Sequence, residues 1–250
     1  MIDRRDALKY LAAAAAFAAR PALAGEARID KLILPAKAQG DISARIDFIS
    51  HALIGTEYRG YTLIGGPHSA EKFVVRDDVF DCVTFCETVL AAAIAADPAA
   101  FDATLKTIRY RDGIVNWYER NHYFFEWSQH NIENKLCRPI VMAGAVEIQK
   151  SVYWHKALGQ RHFDMQVIPR AVFMDNVALL KTGDIVGFVT QRPNLDYFHI
   201  GFVAFDKGEF MLRHAAKSRG RVVDERMSRF VAQNRVRYVT LLRPQERAVV

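Results

Sequence analysis

The sequence predicts an α+β fold in which a helix carrying a cysteine near its start packs on an antiparallel sheet. Two observations carry this. From Cys82 onward, Phe85, Cys86, Val89, Leu90, Ala93 and Ile94 recur at helical offsets until Asp97-Pro98 closes the run. Downstream, apolar stretches at 184–189, 199–204 and 210–215 are separated by turn-forming residues, the pattern of consecutive antiparallel strands.

Ahead of the cysteine helix, Ile42, Ile46, Ile49 and Leu53 predict a helix over 41–54, leading into a loop from Gly60 to Gly66. Asp81 is the natural N-cap of the next helix, and Cys82 falls in its first turn. There the helix dipole and unpaired N–H groups can lower a thiol pKa from about 8.5 by a unit or more. A cysteine simply buried on the apolar stripe is the competing reading, and the helix alone does not choose between them. Shorter helices are predicted over 101–110 and over 142–154, the latter with Val146 and Val152 inward. Strands at 221–224 and 236–241 flank a short helix near 227–233.

The histidines shift the balance toward chemistry. If Lys207-Gly208 is a two-residue hairpin loop, Glu209 faces Asp206 and His214 lies opposite Gly201, one diagonal step from His199. Diagonal neighbours share a sheet face at roughly 7–8 Å, within reach of a ring-to-ring hydrogen bond. Gly201 also leaves room for a partner, here expected to be the start of the Cys82 helix. A single histidine reads as structural, but two on one face behind a capped cysteine read as catalytic.

Four segments in order resemble a known family: Thr56-Glu57-Tyr58-Arg59-Gly60-Tyr61-Thr62-Leu63, Val79-Phe80-Asp81-Cys82-Val83-Thr84-Phe85, Arg120-Asn121-His122-Tyr123-Phe124-Phe125-Glu126-Trp127, and Asp196-Tyr197-Phe198-His199-Ile200-Gly201-Phe202-Val203. Together they resemble the N-acetylmuramoyl-L-alanine amidase-like branch of the NlpC-type papain-like cell-wall peptidases. The resemblance implies a papain-like α+β fold, with Cys82 as nucleophile, His199 as base and His214 as the residue that orients it. It matches Tyr58 to a tyrosine that commonly precedes the cysteine, Asp81 to the acidic residue before it, and His122 to a motif histidine facing substrate. Many members carry an aliphatic residue where this chain has Cys86. That second thiol reads as core, with a redox role as the alternative.

The implied reaction is acyl transfer to a thiolate, opening the amide between N-acetylmuramic acid and L-alanine in peptidoglycan fragments. Cleavage after γ-D-glutamate is the runner-up. An acyltransferase on the same fold and a non-catalytic wall-binding module are the readings from other classes; a binding module tends to lose the thiol or the base, and both are present.

Residues 1–24 read as a twin-arginine export signal: Arg4-Arg5 before Leu8-Lys9, a short apolar stretch to Ala19, and the small-residue site Ala22-Leu23-Ala24. Cleavage after Ala24 leaves residues 25–250 as one expected domain, destined for the periplasm or cell envelope with no membrane anchor. The chain carries +6, and loss of four basic and two acidic signal residues leaves +4. Mild basicity suits an anionic polymer such as peptidoglycan, while scattered Lys and Arg give no nucleic-acid signature. Three cysteines leave at least one thiol free in an exported chain.

Trp117, Tyr118, Tyr123, Phe124, Phe125 and Trp127 make 110–130 unusually aromatic. Four are expected in packing and the others beside a sugar ring, with His122 and Trp127 assigned to the substrate cleft. His122, His130 and Cys137 lack zinc-ligand spacing, so neither metal nor cofactor is expected. A monomer is expected.

Overall fold

Asp41 and Asp81 each stop a strand or loop and start a helix, and the sheet is built around the second of these helices. The computed structural model describes residues 28–246; the export signal expected over 1–24 lies outside the described residues. Helix α1 (Asp30–Lys37) precedes α2 (Ile42–Ala52), whose cap is the Asp41 carboxylate accepting from the Ala44 N–H. Short strands β1 (Glu57–Tyr58), β2 (Ile64–Gly66), β3 (Ser69–Lys72) and β4 (Val79–Phe80) lead to α3 (Cys82–Ile94). Helices α4 (Phe101–Arg109) and α5 (Phe124–Glu133) follow, then β5 (Cys137–Pro139), β6 (Val146–Val152), β7 (Arg161–Pro169) and α6 (Arg170–Asp175). The chain closes with β8 (Ile185–Val189), β9 (Tyr197–Asp206), β10 (Glu209–Ala216), β11 (Arg221–Arg226), α7 (Met227–Gln233) and β12 (Tyr238–Pro244).

Among the described residues, ten strands form one mostly antiparallel sheet in the order β4-β1-β11-β10-β9-β8-β12-β7-β6, with β5 also on β12. Only β1 and β4 pair in parallel among the described residues, setting Tyr58 beside Phe80, one residue before the Asp81 cap. Strand alternation divides the central side chains between two cores. Ile185, Ile200, Phe202 and Ala215 pack with Phe85, Val89 and Leu90 of α3, while Val186, Phe188, Val203 and Leu212 pack with Met227, Phe230 and Val231 of α7. No helix among the described residues is long and apolar enough to cross a membrane.

The stretch 142–154 is not a helix. Its residues 146–152 form β6, fully paired with β7 from Val146↔Val167 to Val152↔Arg161. Val146, Ile148 and Val152 alternate with Glu147, Gln149 and Ser151, a period-two pattern rich in β-branched residues that favours a strand once a partner is available.

One ion pair ties the cysteine helix to its neighbour. Glu87 of α3 accepts from the Arg109 Nε at 2.7 Å, with both side chains 2% exposed, and Arg109 also donates to the Val74 carbonyl at 2.7 Å. Burial of a charge this deep requires such a partner.

Candidate active site

The start of α3 is tightly specified. The Asp81 carboxylate accepts from the Val83 N–H at 3.0 Å and the Thr84 N–H at 2.8 Å, and the Thr84 hydroxyl accepts from the Asp81 N–H at 3.0 Å. This reciprocal capping box holds Cys82 at the first helical position. Asp81 therefore acts here as a cap, with its carboxylate turned to the helix backbone.

The thiol of Cys82 reaches the sheet. The backbone N–H of Ile200 hydrogen-bonds toward it, as do the N–H groups of Cys82 and Val83. Regular pairing of β9 with β10 runs to Phe202↔Arg213. The thiol lies against the β9 backbone at Ile200, the residue after His199. The nearest neighbours of a Cβ at Gly201 would come from β10: Leu212 Cδ1 at 2.7 Å, the Arg213 carbonyl at 2.9 Å and His214 Cβ at 2.9 Å. Its missing side chain lets β10 come close and brings His214 up to His199.

The two imidazoles meet. His199 Nε2 and His214 Nδ1 are 2.6 Å apart, with ring planes at 84°. The hairpin register is the one expected from the Lys207-Gly208 turn, with Glu209↔Asp206 and Leu212↔Val203. Phe230 of α7 packs against both rings, at 5.4 Å from His199 and 5.3 Å from His214. Next to His214, buried Arg213 binds Asp224 of β11 through two nitrogens and reaches Asp47 and Ser50 of α2, which fixes β10 in place.

Electrostatics hold this group neutral. Burial first, then the Asp81 carboxylate, push the Cys82 thiol up to about 12, and the three N–H groups offset this only in part. The lowering expected from the helix start is thus outweighed, because the thiol is desolvated and sits beside its own cap's negative charge. Burial lowers His199 to about 3, helped by His214, and lowers His214 to about 4. At neutral pH both rings are uncharged, so a single N–H bridges them.

A residue not foreseen in the sequence lies behind the pair. His214 Nε2, with no hydrogen-bond partner among the described residues, is 3.5 Å from the Glu225 carboxylate of β11, whose side chain is 12% exposed. Cross-strand pairing of β10 with β11 brings it there, Leu212↔Glu225 and His214↔Val223, and no local pattern announces such a contact. Tyr58, set by the β1–β4 pairing, lies close to the thiol: burial and the Cys82 and Asp81 charges raise its phenol to about 12. Nearby Tyr61 stands 95% exposed with φ 61°, a left-handed conformation unusual for an aromatic residue.

His122 and Trp127 are placed elsewhere. His122 Nε2 is 2.7 Å from the Trp117 carbonyl, its ring packs on Trp117 and Trp154, and burial lowers it to about 4. No ring contact or hydrogen bond joins it to Cys82, His199 or His214 among the described residues. Trp127 is 1% exposed and stacks on Phe124 at 5.2 Å, a packing position. Four of the six clustered aromatics, Trp117, Tyr123, Phe124 and Trp127, are buried. Cys86 and Cys137 are buried free thiols, both raised by burial.

The arrangement sets two hydrogen-bonded imidazoles on β9 and β10, with the Cys82 thiol against the β9 backbone at Ile200. Among the described residues, no group of three or more His, Cys, Asp or Glu could hold a metal ion. Solved structures share the fold. A protein from Legionella pneumophila is 21% identical with a TM-score of 0.76, the match covering 96% of this chain and 97% of that one. An N-acetylmuramoyl-L-alanine amidase from Bacteroides uniformis is 23% identical with a TM-score of 0.70, covering 79% and 97%. No curated protein matches the sequence. Residues 48–237, which run from within α2 through α7, match the AmiA-like family. The chain belongs to that family, described as N-acetylmuramoyl-L-alanine amidase-like.

Proposed function

We propose that this chain is a cysteine hydrolase of the NlpC-type papain-like group that opens the N-acetylmuramoyl-L-alanine amide bond of peptidoglycan fragments. The observation that carries the reading is the 2.6 Å contact of His199 with His214 beside a thiol at a helix start. Family membership supplies the substrate class. In this reading residues 1–24 direct export, and residues 25–250 act as one unit in the periplasm or cell envelope, with no anchor after cleavage.

Each residue then has a role. His199 uses its second nitrogen, Nδ1, to take the Cys82 proton as sulfur attacks the amide carbonyl. The positive charge on His199 is shared with His214, whose Nε2 lies 3.5 Å from the Glu225 carboxylate; Glu225 is the positioning residue for this chain. The Cys82 N–H is one donor to the developing oxyanion. His199 returns the proton to the leaving amine, a thioester remains on Cys82, and water hydrolyses it to free the muramoyl carboxylate. Because thiol and imidazole both rest neutral, proton transfer accompanies attack. Tyr58 and exposed Tyr61 line the approach, the second offering a ring face to a sugar.

Incubation with purified muropeptides, read by mass spectrometry, tests the reading. Intact peptide released from the sugar is expected from the native protein and none from Cys82→Ala. Cleavage inside the peptide transfers the assignment to an endopeptidase, and full activity in the alanine variant overturns the cysteine mechanism.

A further inference from the structure

A second cleft, of about 610 Å³, opens on the α7 side of the sheet, lined by Thr190, Arg192, Phe198, Asn234, Arg235 and Arg237 among others. Its lining contains three guanidiniums and no carboxylate. All three are exposed, and none is in an ion pair or side-chain hydrogen bond among the described residues. Unpaired guanidiniums around a concave surface are suited to bidentate capture of an anionic group.

The cleft is built. Lys150 of β6 bonds to the Thr190 and Arg192 carbonyls, and the Arg192 N–H donates to the Thr190 hydroxyl, so the loop bearing Arg192 is tied down. At the end of α7 the carbonyls of Phe230, Val231 and Ala232 accept from Asn234, Val236 and Arg235, which removes the negative edge a helix C-terminus would otherwise turn toward an anion. Arg235 has φ 49° at the position after the helix cap where glycine is favoured. Keeping a long cationic side chain in that left-handed conformation costs conformational energy that glycine would not.

The cleft also neighbours the histidine pair. Phe198 lines it, stacks with Phe230 at 6.3 Å, and Phe230 in turn packs on His199. We infer that Arg192, Arg235 and Arg237 form a binding site for carboxylates of the peptide stem, holding the peptide while the amide at its head is presented to Cys82. This rests on the muropeptide reading above.

Calorimetric binding to the Cys82→Ser protein tests it, using an N-acetylmuramoyl tripeptide with free carboxylates and the same compound with those carboxylates amidated. The free acid is expected to bind about tenfold more tightly. Arg192→Gln, Arg237→Gln and Arg235→Gly are each expected to erase most of that difference while leaving the amidated compound unaffected. Arg235→Gly adds a second readout: its melting temperature is expected to be no lower than the parent's, since glycine suits the φ. Equal binding of the two compounds, or variants that keep the tenfold preference, overturns the site, as does inorganic phosphate binding as tightly as the free acid. Hydrolysis by the protein with Cys82 intact is scored separately. Peptide release without carboxylate preference removes the cleft and keeps the amidase; preference without release does the reverse.

Discussion

Replacing Arg109 by methionine removes the cation that faces Glu87 on the helix that carries Cys82. Both side chains are 2% exposed and 2.7 Å apart, so the change strands a carboxylate in the interior. Breaking a buried pair from one side costs about 3–5 kcal/mol. The Val74 carbonyl, which accepts from Arg109 at 2.7 Å, loses its partner as well and adds about 1 kcal/mol. At about 2–4 °C per kcal/mol for a chain of this size, the melting temperature falls by about 10 °C or more. Urea denaturation followed by circular dichroism measures the free energy directly. Glu87→Leu combined with Arg109→Met replaces the pair by apolar groups and is expected to recover to within about 1–2 kcal/mol of the native protein.

The pH dependence of the single variant has a definite sign. Burial raises Glu87 while Arg109 pulls it down, the former winning. A carboxylate raised on folding favours the fold below its unfolded value and opposes it as pH rises through the folded one. Loss of Arg109 raises Glu87 further, so the variant's deficit is largest near pH 7 and shrinks toward pH 5. A deficit under 1 kcal/mol at pH 7, a deficit that does not shrink on acidification, or a double variant no better than the single would each refute this reasoning.

Further tests address the site. The raised Cys82 thiol is expected to react slowly with iodoacetamide at pH 7 and progressively faster above pH 9, followed residue by residue in mass spectra; a rate plateau below pH 7 contradicts the neutral resting state. His214, lowered to about 4 from an ordinary value near 6.5, stabilises the fold above pH 6.5, and that contribution is lost as pH falls through about 4. His214→Gln is therefore expected to flatten the stability profile between pH 6.5 and 4 by up to about 1.4 kcal/mol per pH unit, and an unchanged slope argues against it. Glu225→Gln is expected to lower kcat about tenfold with little change in KM, and to shift the pH–rate profile, as expected for a group acting through His214; an unaltered kcat removes its role. Gly201→Ala places a Cβ 2.9 Å from both the Arg213 carbonyl and His214 Cβ, so stability is expected to drop by about 1–3 kcal/mol and kcat with it, measured by thermal melting and muropeptide turnover.

Where local chemistry decides, the sequence was a sufficient guide. Asp81 must cap and Cys82 must follow, because an aspartate before an apolar 3.6-residue repeat satisfies orphan N–H groups in only one way. The hairpin register, and with it the His199–His214 pair, followed from a two-residue turn, since pairing in a hairpin is set at its loop. The stretch 142–154 could not be read this way. Its apolar spacing suits either period over a short window, and only β7 lying alongside made it a strand. Glu225 behind His214, the Ile200 N–H that meets the thiol, and the buried state of Trp127 were likewise invisible. So was the direction of the thiol's shift: a helix start lowers it, but desolvation depends on what packs around it. Capping, turn type and periodicity act between neighbours in the chain and are written there; burial, cross-strand partners and charge environment arise between residues far apart and exist only once the sheet has closed around them.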